Sequence, residues 1–325
     1  MLMLKKYSRI IISVILLALV LKFGLIDIKQ FSDTLKNPLI LVVGLAAFSL
    51  QICVFAWRWK SLVNLEESRY PLTHAIRETL IGSFFNFFIP SGVGGDVVKA
   101  LSLSEKYHVP KKSSFALITV DRVLGLFALI LFSTVFLFIE FFKGLPENML
   151  KLFNISLLLL ILACCGLLFL YHSKKIFPKI KTKIKINMLI KLIQMAEQIQ
   201  LNIEKILKSS FFLKIIGISF ISQCLSIGFL YFVNYELNQT TVSIFVFLPL
   251  ACFAFMASAI PLTPAGIGVG QAAFFFIFSM INPPTATAVS TAISLMQFFN
   301  LILSLPGGYF FARSKENAST HSLNS

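Results

Sequence analysis

The sequence predicts an all-α polytopic membrane protein with about six full spans and two Pro/Gly-broken re-entrant helical hairpins in an inverted-repeat arrangement. Three observations predict it. The first is composition: 57% of the 325 residues are hydrophobic and 13% charged, at mean hydropathy +0.85, where a soluble domain carries about 25% charge. The second is blocking: the apolar residues come in long runs, and Leu237 to Ala312 holds no Asp, Glu, Lys or Arg. The third is a pair of short Pro-Gly clusters of matching pattern, one in each half of the chain.

Crossing about 30 Å of hydrocarbon takes ~20 apolar residues. Runs of that size are Ile10–Ile26, Leu39–Trp57, a stretch within Ser114–Ile139, Leu152–Tyr171, Ile215–Tyr235 and Thr285–Ala312. Val242–Ile260 and Ala265–Ile281 are also long enough. Pro261 and Pro264 separate them, and they read either as two full spans or as one re-entrant pair. Leu80–Ile89 is too short to cross and ends in a Pro-Gly cluster. Met1–Arg9 is basic and precedes an apolar run, but no small-x-small cleavage site follows before Asp27, so an uncleaved first span is expected. The chain thus divides into a first half, 1–140, and a second, 152–313, with a basic linker at 172–214 and a tail at 314–325 expected to be disordered.

Basic residues set the orientation. With loops assigned alternately, the side that holds 1–9, 58–113, 172–214 and 313–325 carries 23 of the 29 Lys and Arg, and the other side 4. Both termini are therefore expected in the cytoplasm. The same bias accounts for the +15 net charge, which makes nucleic acid a poor candidate partner. Cys53, Cys164, Cys165, Cys224 and Cys252 all sit in apolar runs, where packing is the expected role. His74, His108, His172 and His321 are too scattered for a metal site, and no cofactor is expected. Gly268-x-Gly270-x-x-Ala273 matches a dinucleotide-binding pattern but lacks a strand–helix–strand setting.

The two clusters read Pro90-Ser91-Gly92-Val93-Gly94 and Pro264-Ala265-Gly266-Ile267-Gly268. Three crossings separate them, so the first is entered from the cytoplasmic side and the second from outside. Similar broken helices entering from opposite faces are the mark of an inverted repeat with a site near the midplane. Pro ends the incoming half-helix and Gly permits a tight reversal. The outgoing half-helices, near Gly95–Lys106 and Gly270–Ile281, then aim amide N–H groups inward, where anions bind. The competing reading is a pair of ordinary kinked helices packed through small residues.

Ionisable residues at membrane depth are costly and are candidate functional groups. Arg122 either binds phosphate or pairs with Asp96. Asp96 either caps a half-helix or couples protons, and Lys99 either snorkels to the interface or meets a headgroup. Asp121 and Arg122 are neighbours on a helix, point about 100° apart and should have different partners. Asn86, Gln223, Gln297 and Asn300 are expected to hydrogen-bond between helices. In the linker, Lys179–Ile186 is polybasic, and Leu189, Ile193, Ala196, Ile199, Ile203 and Ile206 recur at helical spacing. That pattern fits either an interfacial helix on an anionic leaflet or a connector between the halves.

Asn86-Phe87-Phe88-Ile89-Pro90 leading to Gly95-Asp96-Val97-Val98-Lys99-Ala100, then Thr119-Val120-Asp121-Arg122-Val123-Leu124, then Pro261-Leu262-Thr263-Pro264-Ala265-Gly266-Ile267-Gly268-Val269, resemble the flippase-like membrane region of lysylphosphatidylglycerol synthases. The resemblance covers roughly residues 8–312. It implies a protein of a prokaryotic cytoplasmic membrane that moves an anionic or aminoacylated phospholipid, or a polyprenyl-phosphate-linked sugar lipid. Gly92, Gly94, Gly95, Asp96, Lys99, Asp121, Arg122, Pro264, Gly266, Gly268 and Gln271 become the headgroup and translocation candidates. Lys99 stands where the family usually has Arg, Asp121 where Glu is commoner, and Gln271 where Glu is usual. The soluble aminoacyl-transfer domain of the full synthases has no counterpart in these residues, so no catalysis is expected. Membrane lipids are the expected partners, with homo-oligomers or envelope-synthesis proteins as further ones. The alternative class is a scaffold or embedded enzyme of cell-envelope glycolipid synthesis, for which Asp96, Asp121 and Glu105 are the available acids.

Overall fold

The computed structural model describes residues 28–67, 69–89, 93–173, 177, 187–208, 210–237, 242–260, 262–280 and 283–323, with side chains omitted at 187, 188 and 314–323. The expected first span Ile10–Ile26, the Pro90-Ser91-Gly92 corner and the polybasic 179–186 lie outside these residues.

Every described element is helical. A short helix, α1 (Ile28–Lys36), leads to α2 (Pro38–Val63). Asn37 caps α2 by accepting the Leu39 N–H at 3.0 Å, with Pro38 at the first helical position. Next come α3 (Leu72–Phe88) and α4 (Gly94–Tyr107), then the long α5 (Lys111–Phe141) and α6 (Glu147–His172). After the linker helix α7 (Asn187–Leu207) follow α8 (Phe211–Glu236), α9 (Ile244–Ser258), a 3₁₀ turn at Pro264–Gly266, α10 (Val269–Phe278) and α11 (Pro283–Leu323).

Five of these, α2, α5, α6, α8 and α11, are long and apolar enough to cross a membrane. Together with the family match given below, they make this a polytopic all-α membrane protein. The five agree with the spans expected from sequence, each extended at its ends by polar residues. The run Ala265–Ile281 does not become a long helix. Gly266 (φ 71°) and Gly268 (φ 86°) break it, leaving α10 with 10 residues, about 15 Å at 1.5 Å per residue and half the hydrocarbon thickness. In the first half, α3 starts earlier than the apolar run Leu80–Ile89, and its first turns carry His74, Arg77 and Glu78. The tail expected to be disordered continues α11 as far as Leu323. Lys315, Glu316 and Ala318 are strong helix formers and extend an already anchored helix.

The bundle packs through small residues and aromatic rings. A Cβ on Gly307 would lie 2.2 Å from the Leu80 carbonyl oxygen, so α11 and α3 touch backbone to backbone. Phe48 of α2, Phe229 of α8 and Phe299 of α11 interlock at ring separations of 4.9 and 5.7 Å, and Gly44 leaves the room for Phe299. The second hairpin buries Phe247, Phe274 and Phe278 in the same core. α6 is peripheral, the least buried of the five spans. The linker helix α7 docks on α5: Ile203 and Ile206 are buried with Leu62 and Ile215. Ser113 donates to Gln198 at 3.2 Å and Lys205 pairs with Glu66 at 3.1 Å. Polar residues of α7, Gln198 and Lys205, are thus part of the contact. Leu189, Leu192 and Leu201 remain exposed.

Candidate functional site

The first broken element is locked by backbone contact. α3 ends at Ile89, whose N–H bonds to the Phe85 carbonyl at 2.8 Å, and α4 starts at Gly94. A Cβ on Gly95 would sit 2.0 Å from the Gly82 carbonyl oxygen, while Asn86 Oδ1 accepts the Gly95 N–H at 3.0 Å. Only glycine fits there. One turn on, the Lys99 stem crosses Gly82 and its Nζ lies 5.5 Å from the centre of the Trp59 ring.

Charges gather around this hairpin. Arg122 of α5 pairs through Nε with Asp96 in the first turn of α4. Asp121, on the next face of α5, pairs with Arg58 of α2. Nε lies 2.8 Å from Oδ1 and Nη2 donates to Oδ2 at 3.1 Å, while Nη1 donates to Ser219 of α8 at 3.2 Å. The Arg58 guanidinium passes over Gly125. Below them Glu78 is buried, accepting from Tyr70 Oη at 2.5 Å, Ser102 Oγ at 2.7 Å and Trp59 Nε1 at 3.3 Å. Burial, reinforced by the neighbouring Glu78 carboxylate, pushes the Tyr70 phenol far above its usual range, so it stays a donor.

The second broken element is held differently. Ala265 takes a left-handed conformation (φ 49°) before Gly266 and Gly268. For a residue with a Cβ this costs about 1–2 kcal/mol. Gln271 Oε1 accepts the Gly268 N–H at 2.7 Å, and its Nε2 donates to Gln297 at 2.6 Å and Ser294 at 3.2 Å on α11. Gln297 in turn reaches the Ala265 carbonyl at 3.4 Å. Gln271, a translocation candidate by sequence, is buried at 2% exposure and fastens the turn to α11.

Between the two elements lies a cavity of about 400 Å³. Gln51 and Phe55 (α2), Ser83 and Asn86 (α3), Arg122 (α5), Ser222, Gln223 and Ser226 (α8), Thr263 and Gly266 (second turn), and Gln297 and Asn300 (α11) line it. Among the described residues of that lining, Arg122 alone carries a charge; the other polar groups are amides and hydroxyls. Of the candidate residues, Arg122 and Gly266 face the cavity. Gly94, Gly95, Asp96, Lys99 and Asp121 build the supporting hairpin and its ion pairs, Pro264, Gly268 and Gln271 frame the second turn, and Gly92 lies outside the described residues. Among the described residues no group of three His, Cys, Asp or Glu is placed to hold a metal.

Sequence reasoning missed Arg58 and Glu78. Arg58 was assigned to a cytoplasmic loop and Glu78 was not counted among the available acids, because both flank apolar runs and look like loop charges. Their signal was the short spacing to Trp59 and to the Asn86–Pro90 motif. Gln51, Ser222 and Ser226 gave no sequence signal, since isolated Gln and Ser are common inside spans.

Two UPF0104 membrane proteins of Methanocaldococcus jannaschii are similar to this chain. One is 28% identical over 229 residues, covering 68% of this chain and 90% of the relative. The other is 26% identical over 285 residues, covering 81% and 82%. The family model described as the lysylphosphatidylglycerol synthase TM region matches residues 8–307, and the chain belongs to that family.

Proposed function

We propose that this protein is a translocase that moves a phosphate-bearing lipid with a hydroxylated, uncharged headgroup across a prokaryotic cytoplasmic membrane. The observation that carries the reading is the cavity: one guanidinium with amides and hydroxyls set in a largely apolar lining that includes Phe55, Leu129, Phe255 and Met296, between two broken helices. Arg122 offers a fork for phosphate oxygens. The amides and hydroxyls offer donors and acceptors to sugar or glycerol hydroxyls, each of which is costly to bury unpaired. The short α10 and the glycine-locked α3–α4 corner support two re-entrant elements meeting as an inverted repeat. The Lys and Arg distribution supports cytoplasmic termini. Transport rather than chemistry is favoured because Glu78, Asp96 and Asp121 are all engaged in pairs or hydrogen bonds outside the cavity.

A second reading, an aminoacylated phospholipid, is favoured by the Arg122–Asp96 pair, which opposes one positive and one negative group to a phosphate and an ammonium.

The test uses purified protein in liposomes carrying fluorescent phosphatidylglycerol, a polyisoprenyl-phosphate hexose or lysyl-phosphatidylglycerol, with leaflet-resolved quenching. The hydroxylated lipids should exchange leaflets faster than in protein-free vesicles. Arg122→Ala should abolish exchange with little change in melting temperature, and Arg122→Lys should restore part of it. Preferred movement of the lysyl lipid selects the second reading. Movement of none, or full movement by Arg122→Ala, overturns the proposal.

A further inference from the structure

α5 is a shared wall. One of its faces turns Arg122 and Leu129 to the cavity between the broken helices. The adjacent face turns Val123, Leu126, Phe127 and Ile130 to a separate groove of about 350 Å³, closed on the other side by Ala163, Gly166 and Leu167 of α6. This groove is almost wholly apolar. At 100° per residue, Leu126 stands one turn from Arg122 and about 40° around the helix, so cavity and groove meet along one edge of α5.

Three helix-interior glycines, Gly166, Gly217 and Gly228, have open space where a Cβ would stand and no left-handed φ. Gly166 is the one of the three that lines the groove. Glycine weakens a helix interior relative to other residues. An apolar groove at membrane depth does not stay empty either, because an unfilled void forfeits the dispersion contacts of its walls.

We propose that the groove between α5 and α6 holds a hydrocarbon tail of the same lipid whose phosphate meets Arg122. The inference rests on the translocase reading and adds the path of the tail: α5 divides the cargo, polar end on one face and apolar end on the next. The headgroup then moves within protein while the tail never leaves an apolar surface.

Gly166→Leu tests this, since the site has room for the side chain and leucine is the better helix former. The variant should keep or raise the melting temperature yet lose most phosphatidylglycerol movement, roughly tenfold or more. In parallel, phosphatidylglycerol with a diazirine in one acyl chain, in phosphatidylcholine vesicles, should label 123–130 and 163–170. That labelling should fall several-fold in Arg122→Ala. Wild-type transport by Gly166→Leu overturns the inference, as does labelling indifferent to Arg122→Ala, which marks ordinary bilayer lipid. A wild-type dimer that Gly166→Leu dissociates also overturns it, making the groove an interface between copies. A wild-type protein that moves no lipid brings down the translocase reading itself, a result separable from the others.

Discussion

Two arginine–carboxylate pairs sit side by side on α5 and differ in surroundings. The Arg58 and Asp121 side chains are 12% and 23% exposed and those of Arg122 and Asp96 44% and 22%, so the two pairs differ in the arginine and not in the carboxylate. Breaking a partly buried pair from one side leaves an under-compensated charge, at a fraction of the about 3–5 kcal/mol that a fully buried pair costs. Asp121→Asn should therefore lower folded yield and melting temperature, and the double variant Arg58→Met/Asp121→Leu should recover most of the loss. Thermal melts in detergent distinguish this from a transport role, for which the double variant would be stable but inactive. Arg122 was legible in sequence because a charge stands out in an apolar block. Its sequence neighbour was legible too, but not its partner: Arg58 lies near the end of α2, where a basic residue ordinarily reports topology. Gln271, singled out by resemblance, clasps the second turn to α11 through its side-chain amide, a contact that no local pattern names.

At the scale of elements, the spans were readable because hydrocarbon thickness sets a length that composition must meet. The broken helices were readable only as Pro-Gly patterns, because their geometry depends on contacts across the bundle. The Gly95–Gly82 approach shows why: the restriction comes from a carbonyl thirteen positions earlier, a neighbour that no local pattern names. Gly95→Ala would force a Cβ to within 2.0 Å of that oxygen. The α3–α4 corner should open, and the protein should lose both stability and lipid movement. By contrast, Gly166→Ala meets open space inside a helix and should keep or raise the melting temperature. Melting curves of the two variants, measured together, check the pair.

For the whole molecule, the core of aromatic rings and small residues joins both halves, so they fold as one body. The linker helix was ambiguous in sequence because an amphipathic face fits membrane or protein equally. Ile203 and Ile206 buried on the bundle place one face of it against protein. The proposed orientation rests on the basic-residue bias and has a direct check. Single cysteines at Lys36 and Lys143 should react with an impermeant thiol reagent applied to intact cells, and one at Lys205 should not. A background lacking the five native cysteines, Cys53, Cys165 and Cys224 being exposed, is needed for this. External labelling at Lys205 would reverse the topology and the inverted-repeat reading together.

The charges around the first hairpin have one more consequence. Asp121 is paired with Arg58 and Asp96 with Arg122, so each of these two pairs carries no net formal charge. Moving one elementary charge across the membrane is worth about 2.3 kcal/mol per 100 mV. For the translocase proposed above, an empty site built on neutral pairs would reorient with no electrical work, whereas the same site carrying one anionic headgroup would move a net negative charge. An interior-negative membrane potential would then act on the loaded step alone and aid the outward passage of the anion. Leaflet exchange measured in liposomes with and without a potassium diffusion potential checks this: the proposed cycle predicts faster outward exchange of the anionic lipid when the interior is negative.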